Sequence, residues 1–313
     1  MTDRIATHID GVALNLTNLD KPLFPDGFTK GELISYYVEV AEAMLPHLRD
    51  RAITRVRFPE GTAAGSFFEK NAPAGTPEWV KTVSVATSAG SVNYVTAPDR
   101  ATLAWLANLA AVELHTPQWR TTEATSGPMG IVLEGEDEPR ATTLIIDLDP
   151  GPGTTPADSA RAAIMTATQL AEVGLVAFPK TSGNKGLQLS VPIAPTPASE
   201  VYTFALSLAR LLTSSHPKIF VANMSRAART GLIFVDYAQN LASRNTVCAY
   251  SVRGLNRPSV ATPLTWDEVA ALQPETSLAV SPGEALERVH SLGDLWETQM
   301  PTPDSPELPE PLT

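Results

Sequence analysis

Apolar positions along the chain change period repeatedly, and each change marks an element. Leu33, Tyr36, Tyr37, Val40, Ala41 and Met44 recur at helical spacing behind Thr29 and Glu32, which form a capping-box pair. Asp99 opens a second helix with Leu103, Leu106 and Ala110 inward. Thr155-Pro156 and Thr196-Pro197 each set a cap residue before proline, followed by Ile164, Ala167, Leu170 and Ala171 on one helix and Val201, Phe204, Ala205, Leu208 and Leu211 on the other. Short acidic helices begin at Thr265 and at Ser281-Pro282. Strand-like runs fall at 52–58, 65–70, 91–96, 142–149, 175–180, 186–193, 218–222, 231–237 and 246–252. Strands dominate before residue 100, whereas helix and strand alternate from about 142 to 237. The pattern predicts an α+β protein, with an N-terminal α+β module (1–135) packed as one compact unit on a mixed α/β core (136–297). Residues 298–313, rich in proline and acids, are expected to form a disordered tail.

Composition narrows the class. With 313 residues the chain has ample core, and its one cysteine, Cys248, excludes an internal disulfide framework. The start lacks the features of a secretory signal, and no apolar run approaches the roughly 20 residues that cross a bilayer. A cytoplasmic protein without a membrane partner is expected. A formal charge of −11 weighs against a polyanionic partner, but ten acids and one base lie after residue 266. The remainder is close to neutral.

Candidate chemistry begins with T-T-L-I-I-D-L-D-P-G-P-G at 142–153. On a strand, Asp147 and Asp149 project from one face while Leu148 projects from the other. Neighbouring carboxylates repel unless a cation lies between them, and hard divalent ions such as Mg²⁺ or Mn²⁺ suit such oxygen donors. The pair serves equally well as two acids ending a strand before a turn. A second apolar run, G-L-I-F-V-D-Y, ends in Asp236, and three acids make the set that two-metal phosphoryl transfer uses. K-T-S-G-N-K-G-L-Q-L at 180–189 offers small residues and Lys185 as a phosphate cradle, or as a plain polar turn. His115 reads as a helix C-terminal cation, a core histidine or a triphosphate contact. Lys21 and Lys30 flank L-F-P-D-G-F-T, and Arg226 and Arg229 belong to a later basic cluster. Phe67 and Phe68 point to opposite sides of a strand, so one is expected in the core and the other free to stack on a base.

Eight ordered segments, N-L-D-K-P-L-F-P-D-G-F-T-K, S-F-F-E-K, E-L-H-T-P-Q-W, I-I-D-L-D-P, T-S-G-N-K-G-L-Q-L, F-V-D-Y-A-Q-N, A-Y-S-V-R-G and P-L-T-W-D-E-V, closely resemble the polymerase domain of bacterial DNA ligase D, in its mycobacterial or actinobacterial form. The resemblance spans about 15–295 and places the chain in the archaeo-eukaryotic primase superfamily. It implies a primase-polymerase fold with an RRM-like catalytic core, and template-directed extension of primer 3′-ends at gaps or double-strand breaks in non-homologous end joining, with ribonucleotides preferred. By position it implies that Asp147, Asp149 and Asp236 hold two Mn²⁺ or Mg²⁺ ions. Ser182, Lys185, Gly186, Gln188, Arg253, His115 and Gln239 would bind the incoming NTP or dNTP. Lys21 and Lys30 would meet a 5′-phosphate on gapped or broken DNA, Phe67 and Phe68 would stack on it, and Arg226 and Arg229 would position the primer end. Ku, a separate ligase and a nucleoid location are the implied partners and place, because no K-x-D-G ligase signature is present and the chain reads as a stand-alone polymerase.

One departure stands out. The family usually carries histidine where this chain has Gln188. Replacing a charge-assisted contact by a neutral one costs about 1–2 kcal/mol, or roughly five- to thirty-fold in affinity. The alternative is therefore a catalytically weakened module of the same fold that binds DNA ends or gaps.

Overall fold

The computed structural model describes residues 4–88, 90–300, 302 and 304–312. Its central element is the eleven-residue strand Arg140–Pro150, in a five-stranded sheet whose order is Phe178–Thr181, Leu187–Pro197, Arg140–Pro150, Ile233–Asp236, Phe220–Val221. Neighbours are antiparallel except the last pair, which is parallel. Alternation divides the central strand. Leu144, Ile146 and Leu148 enter a core with Leu187, Leu189, Val191 and the helices Pro156–Ala171 and Ala198–Ser215. Asp147 and Asp149 take the opposite parity, on the sheet face away from those helices.

A second sheet orders Thr246–Val247, Ala111–Thr116, Thr54–Arg57 and Phe67–Glu69, all antiparallel. Its core draws on the helices Lys30–Glu39, Ala41–Leu48 and Arg100–Asn108 and on residues as distant as Val260, Ala285 and Trp296. The two cores thus do not follow the expected division at 135/136. The chain returns after residue 247 to complete the core of the second sheet, because the Cys248–Val252 segment packs beside the Ala111–Thr116 strand.

The mixed α/β class and most predicted elements are present, with local differences. The helix expected after Thr29 is capped as predicted but breaks at Val40 into two. Thr196 caps nothing: the Leu187–Pro197 strand runs through it, and the next helix starts at Ala198 without a side-chain cap. His115 does not follow a helix. It lies inside the Ala111–Thr116 strand, because Ala110 adopts a positive φ of 56° that ends the preceding helix abruptly. The hairpin Arg4–Ile9/Val12–Thr17 turns through Asp10-Gly11, a turn signal the sequence reading passed over.

The tail is another difference. Pro306 O accepts a hydrogen bond from Ala194 N at 2.8 Å, Leu312 N donates to Ser207 Oγ at 2.9 Å, and Leu308 and Leu312 pack on the core of the five-stranded sheet. Proline-rich segments lose little backbone entropy on ordering, so two leucines and an unpaired strand edge suffice to dock residues 304–312.

Candidate active site

The Arg140–Pro150 strand sets the site. Across its two antiparallel neighbours, Asp147 lies opposite Asp236 on one side and Gln188 on the other, and Gln188 lies opposite Lys180. Directly opposed residues share a sheet face, so Lys180, Gln188, Asp147 and Asp236 form one row across four strands. Asp149, two residues beyond Asp147, completes a group whose carboxylate oxygens lie within 4.8 Å of one another.

Burial, then repulsion from Asp149 and Asp236, raises the Asp147 carboxyl to about 8. Burial and Asp236 likewise push Asp149 upward. Asp147 Oδ1 is buried without a hydrogen-bond partner, whereas Asp236 is held by Ala238 N at 3.1 Å and Gln239 Nε2 at 2.9 Å. An orphaned buried oxygen among three clustered carboxylates, with no soft donor in the group, fits a hard divalent cation.

The row opens into a cleft of about 210 Å³ between the two sheets, lined by His115, Asp147, Asp149, Ser182, Gln188, Gln239 and Arg253. Seven of the residues predicted from sequence meet there. Lys185 is exposed at the tip of the turn that follows Ser182, and Gly186 N donates to Ser182 Oγ at 3.2 Å inside it. Gly186 has little freedom: a Cβ there would lie 2.7 Å from Leu148 O. Arg253, on the hairpin Val252–Gly254/Pro258–Val260, donates to Ser182 O at 2.9 Å and ties this turn to that hairpin.

Three lining or supporting residues were missed. Asn245 also borders the cleft. Glu113, 6% exposed, accepts from Gly254 N at 2.9 Å, meets His115 Nε2 at 2.8 Å and pairs with Arg253 Nε at 3.1 Å. Burial alone raises a carboxyl, yet His115 and Arg253 hold Glu113 below the usual range. Burial lowers His115 despite Glu113. A neutral imidazole therefore donates Nε2–H to the carboxylate and keeps Nδ1 for the cleft. Glu113 and His115 share parity in V-E-L-H-T, which was the available signal. Lys180 is the third. It is 2% exposed, and burial lowers it to about 7.

The remaining predicted residues lie outside the cleft lining. Phe67 and Phe68 are both exposed, 45% and 69%, contrary to the expectation that one is core. Their strand is the edge of the second sheet with neither face covered; Arg57 lies 5.3 Å over the Phe67 ring, and Phe68 meets the His115 ring edge-on at 6.2 Å. Lys30 is 5% exposed and donates to Thr17 Oγ1 and Asn108 O, both at 3.1 Å. Burial and then Lys21 lower it to about 8, so the two lysines are neighbours, and one of its three N–H donors is left over. Lys21 pairs with Glu60 at 2.9 Å. Arg226 is exposed, whereas Arg229 stacks 3.6 Å over Phe234 and comes within 4.0 Å of Asp149. Among the described residues no helix is long and apolar enough to cross a membrane.

Comparison with known proteins agrees with this geometry. The family described as "LigD, primase-polymerase domain" matches residues 29–296. The chain is 39% identical over 287 residues to the multifunctional non-homologous end joining DNA repair protein LigD of Mycobacterium tuberculosis, covering 91% of this chain and 36% of that protein. It is 37% identical over 284 residues to the Mycolicibacterium smegmatis LigD (90% and 35%), and 33% identical over 263 residues to the bifunctional LigD of Bacillus subtilis (82% and 39%). The chain thus spans little more than a third of the curated relatives it matches. Among solved structures, the polymerase domain of Mycobacterium tuberculosis ligase D in complex with DNA superposes with a TM-score of 0.84 at 38% identity, covering 94% of this chain and 99% of that one.

Proposed function

This chain belongs to the LigD primase-polymerase domain family, a family of nucleotidyltransferases, and from that premise we propose that it extends primer 3′-hydroxyls on a template at gaps or broken DNA ends, with ribonucleotides favoured. The observation that carries the reading is the carboxylate group of Asp147, Asp149 and Asp236 facing a cleft lined by nitrogen donors.

In this mechanism the three aspartates would hold two divalent cations, Mn²⁺ or Mg²⁺, which when bound would supply positive charge to the attacking and leaving oxygens. The incoming nucleotide is oriented by the chain itself. Ser182 Oγ, which already accepts from Gly186 N, has its own hydrogen free for a phosphate oxygen, and Lys185, exposed at the tip of the same turn, would bring its ammonium to the triphosphate. Arg253 is ion-paired with Glu113 through Nε and donates Nη1 to Ser182 O, leaving Nη2 for the triphosphate. Gln188 offers an amide beside Asp147, His115 offers Nδ1, and Gln239 keeps Asp236 oriented. Lys21 and the spare donor of Lys30 would meet a 5′-phosphate on the downstream strand, Phe67 and Phe68 would stack on DNA, and Arg226 and Arg229 would steady the primer end. A Ku-type end binder and a ligase would act alongside it.

Primer extension on 5′-phosphorylated gapped DNA, with NTPs against dNTPs and Mn²⁺ against Mg²⁺, tests the proposal. Extension that favours NTPs and disappears in the Asp147→Ala/Asp149→Ala variant supports it. Extension surviving that double substitution overturns it, and retarded DNA mobility without extension shows the weakened end-binding module instead.

A further inference from the structure

Lys180 is buried without a carboxylate partner. It is among the largest fully buried side chains, and no ion pair among the described residues includes it. Taking an ammonium out of water is costly unless something specific is gained. Its Nζ donates to Gln188 Oε1 at 2.5 Å and lies 5.9 Å over the Trp296 ring. Gln188 is itself 3% exposed and lies between Lys180 and Asp147 in the cross-strand row.

This contact settles which way the glutamine amide faces. Nζ is the donor in this contact and Oε1 the acceptor, so Gln188 turns its carbonyl toward Lys180 and its NH₂ toward Asp147 and the cleft. Turned the other way, the amide would direct its oxygen at three carboxylates and at any phosphate beside them.

We propose that Lys180 is a positioning residue that locks Gln188 as a hydrogen-bond donor, so that the cleft presents an N–H to an anionic oxygen of the incoming nucleotide triphosphate. The inference rests on the nucleotide-binding reading of Gln188 above and adds what makes a neutral amide serviceable there. Lys180 does not touch the nucleotide; it acts through Gln188.

The test is a double-substitution cycle with Lys180→Met, which keeps length and removes the donor, and Gln188→Met. ATP binding in Mn²⁺ without DNA is measured by calorimetry, alongside KM and kcat for NTP in primer extension and the thermal midpoint. Lys180→Met is expected to weaken ATP binding about tenfold, the scale of one hydrogen bond lost to a flipped amide. KM rises in parallel, kcat stays within about twofold, and the midpoint is unchanged or raised. The double variant binds ATP no more weakly than Gln188→Met alone. Lys180→Leu serves the same comparison should methionine not be accommodated. Losses that add in the double variant, or Lys180→Met with wild-type ATP affinity while Gln188→Met is impaired, overturn the positioning role and leave the nucleotide reading intact. Wild-type affinity in both single variants overturns both.

Discussion

Glu113→Gln tests whether the floor of the cleft is held together electrostatically. The carboxylate accepts from Gly254 N at 2.9 Å on Oε1 and from His115 Nε2 at 2.8 Å on Oε2, and Arg253 Nε forms an ion pair with Oε2 at 3.1 Å. Glutamine can keep its oxygen for Gly254, which then puts an NH₂ where two other donors already point. Hydrogen bonds to a charged group are worth about 1.5–3 kcal/mol each. His115, neutral through burial, can change tautomer and recover one of them. The net loss is therefore about 2–3 kcal/mol, borne mainly by Arg253, which is left half-buried without its counter-charge. At about 2 °C per kcal/mol for a chain of this size, the thermal midpoint should fall by about 5 °C. Nucleotide KM should rise as Arg253 loosens from Ser182.

The pH dependence supplies a sharper check. Burial raises Glu113, but His115 and Arg253 outweigh it and depress the folded-state value. A depressed carboxyl contributes stability that is complete above its unfolded pKa, near 4.3, and is lost as pH falls through the folded value. Scanning calorimetry should thus find a constant gap between wild type and variant from about pH 8 to 5, narrowing below. No gap at pH 7, or a gap that widens on acidification, would refute the reasoning.

Other consequences follow from single contacts. Gly183 has φ +71°, and a Cβ there would lie 2.6 Å from Arg253 Cγ, so Gly183→Ala should raise nucleotide KM more than it lowers the thermal midpoint; an unchanged KM would separate Arg253 from the nucleotide. Asp294 joins His47 Nε2 at 2.8 Å and Tyr250 Oη at 2.7 Å, and Asp294→Ala should cost about 3–5 kcal/mol in chemical denaturation by stranding both partners. Truncation after residue 303 uncovers the sites of Leu308 and Leu312 and should lower stability by about 2–4 kcal/mol, whereas a tail that does not pack would leave it unchanged.

Much of the site was legible in the chain because its signals are local. Asp147 and Asp149 share a face whatever surrounds them, since alternation on a strand is set by backbone geometry, and the capping boxes at Thr29, Thr155, Thr265 and Ser281 need only four residues each. The resemblance of eight short segments extended this to His115, Ser182, Gln239 and Arg253, which the fold gathers around one cleft. What remained hidden depends on register between segments far apart in the chain. That Asp236 lies opposite Asp147 and that Lys180 fixes Gln188 are consequences of strand pairing, and that Arg253 reaches Glu113 follows from the return of the chain after residue 247. A lysine inside F-P-K-T-S carries no mark that its ammonium will be enclosed, just as nothing around Lys30 foretells Thr17 and Asn108. Hydrogen-bonding periodicity and side-chain parity belong to a few consecutive residues and are written in the sequence. Burial, and with it the strength of every charge in this site, belongs to the neighbours that only the tertiary fold supplies.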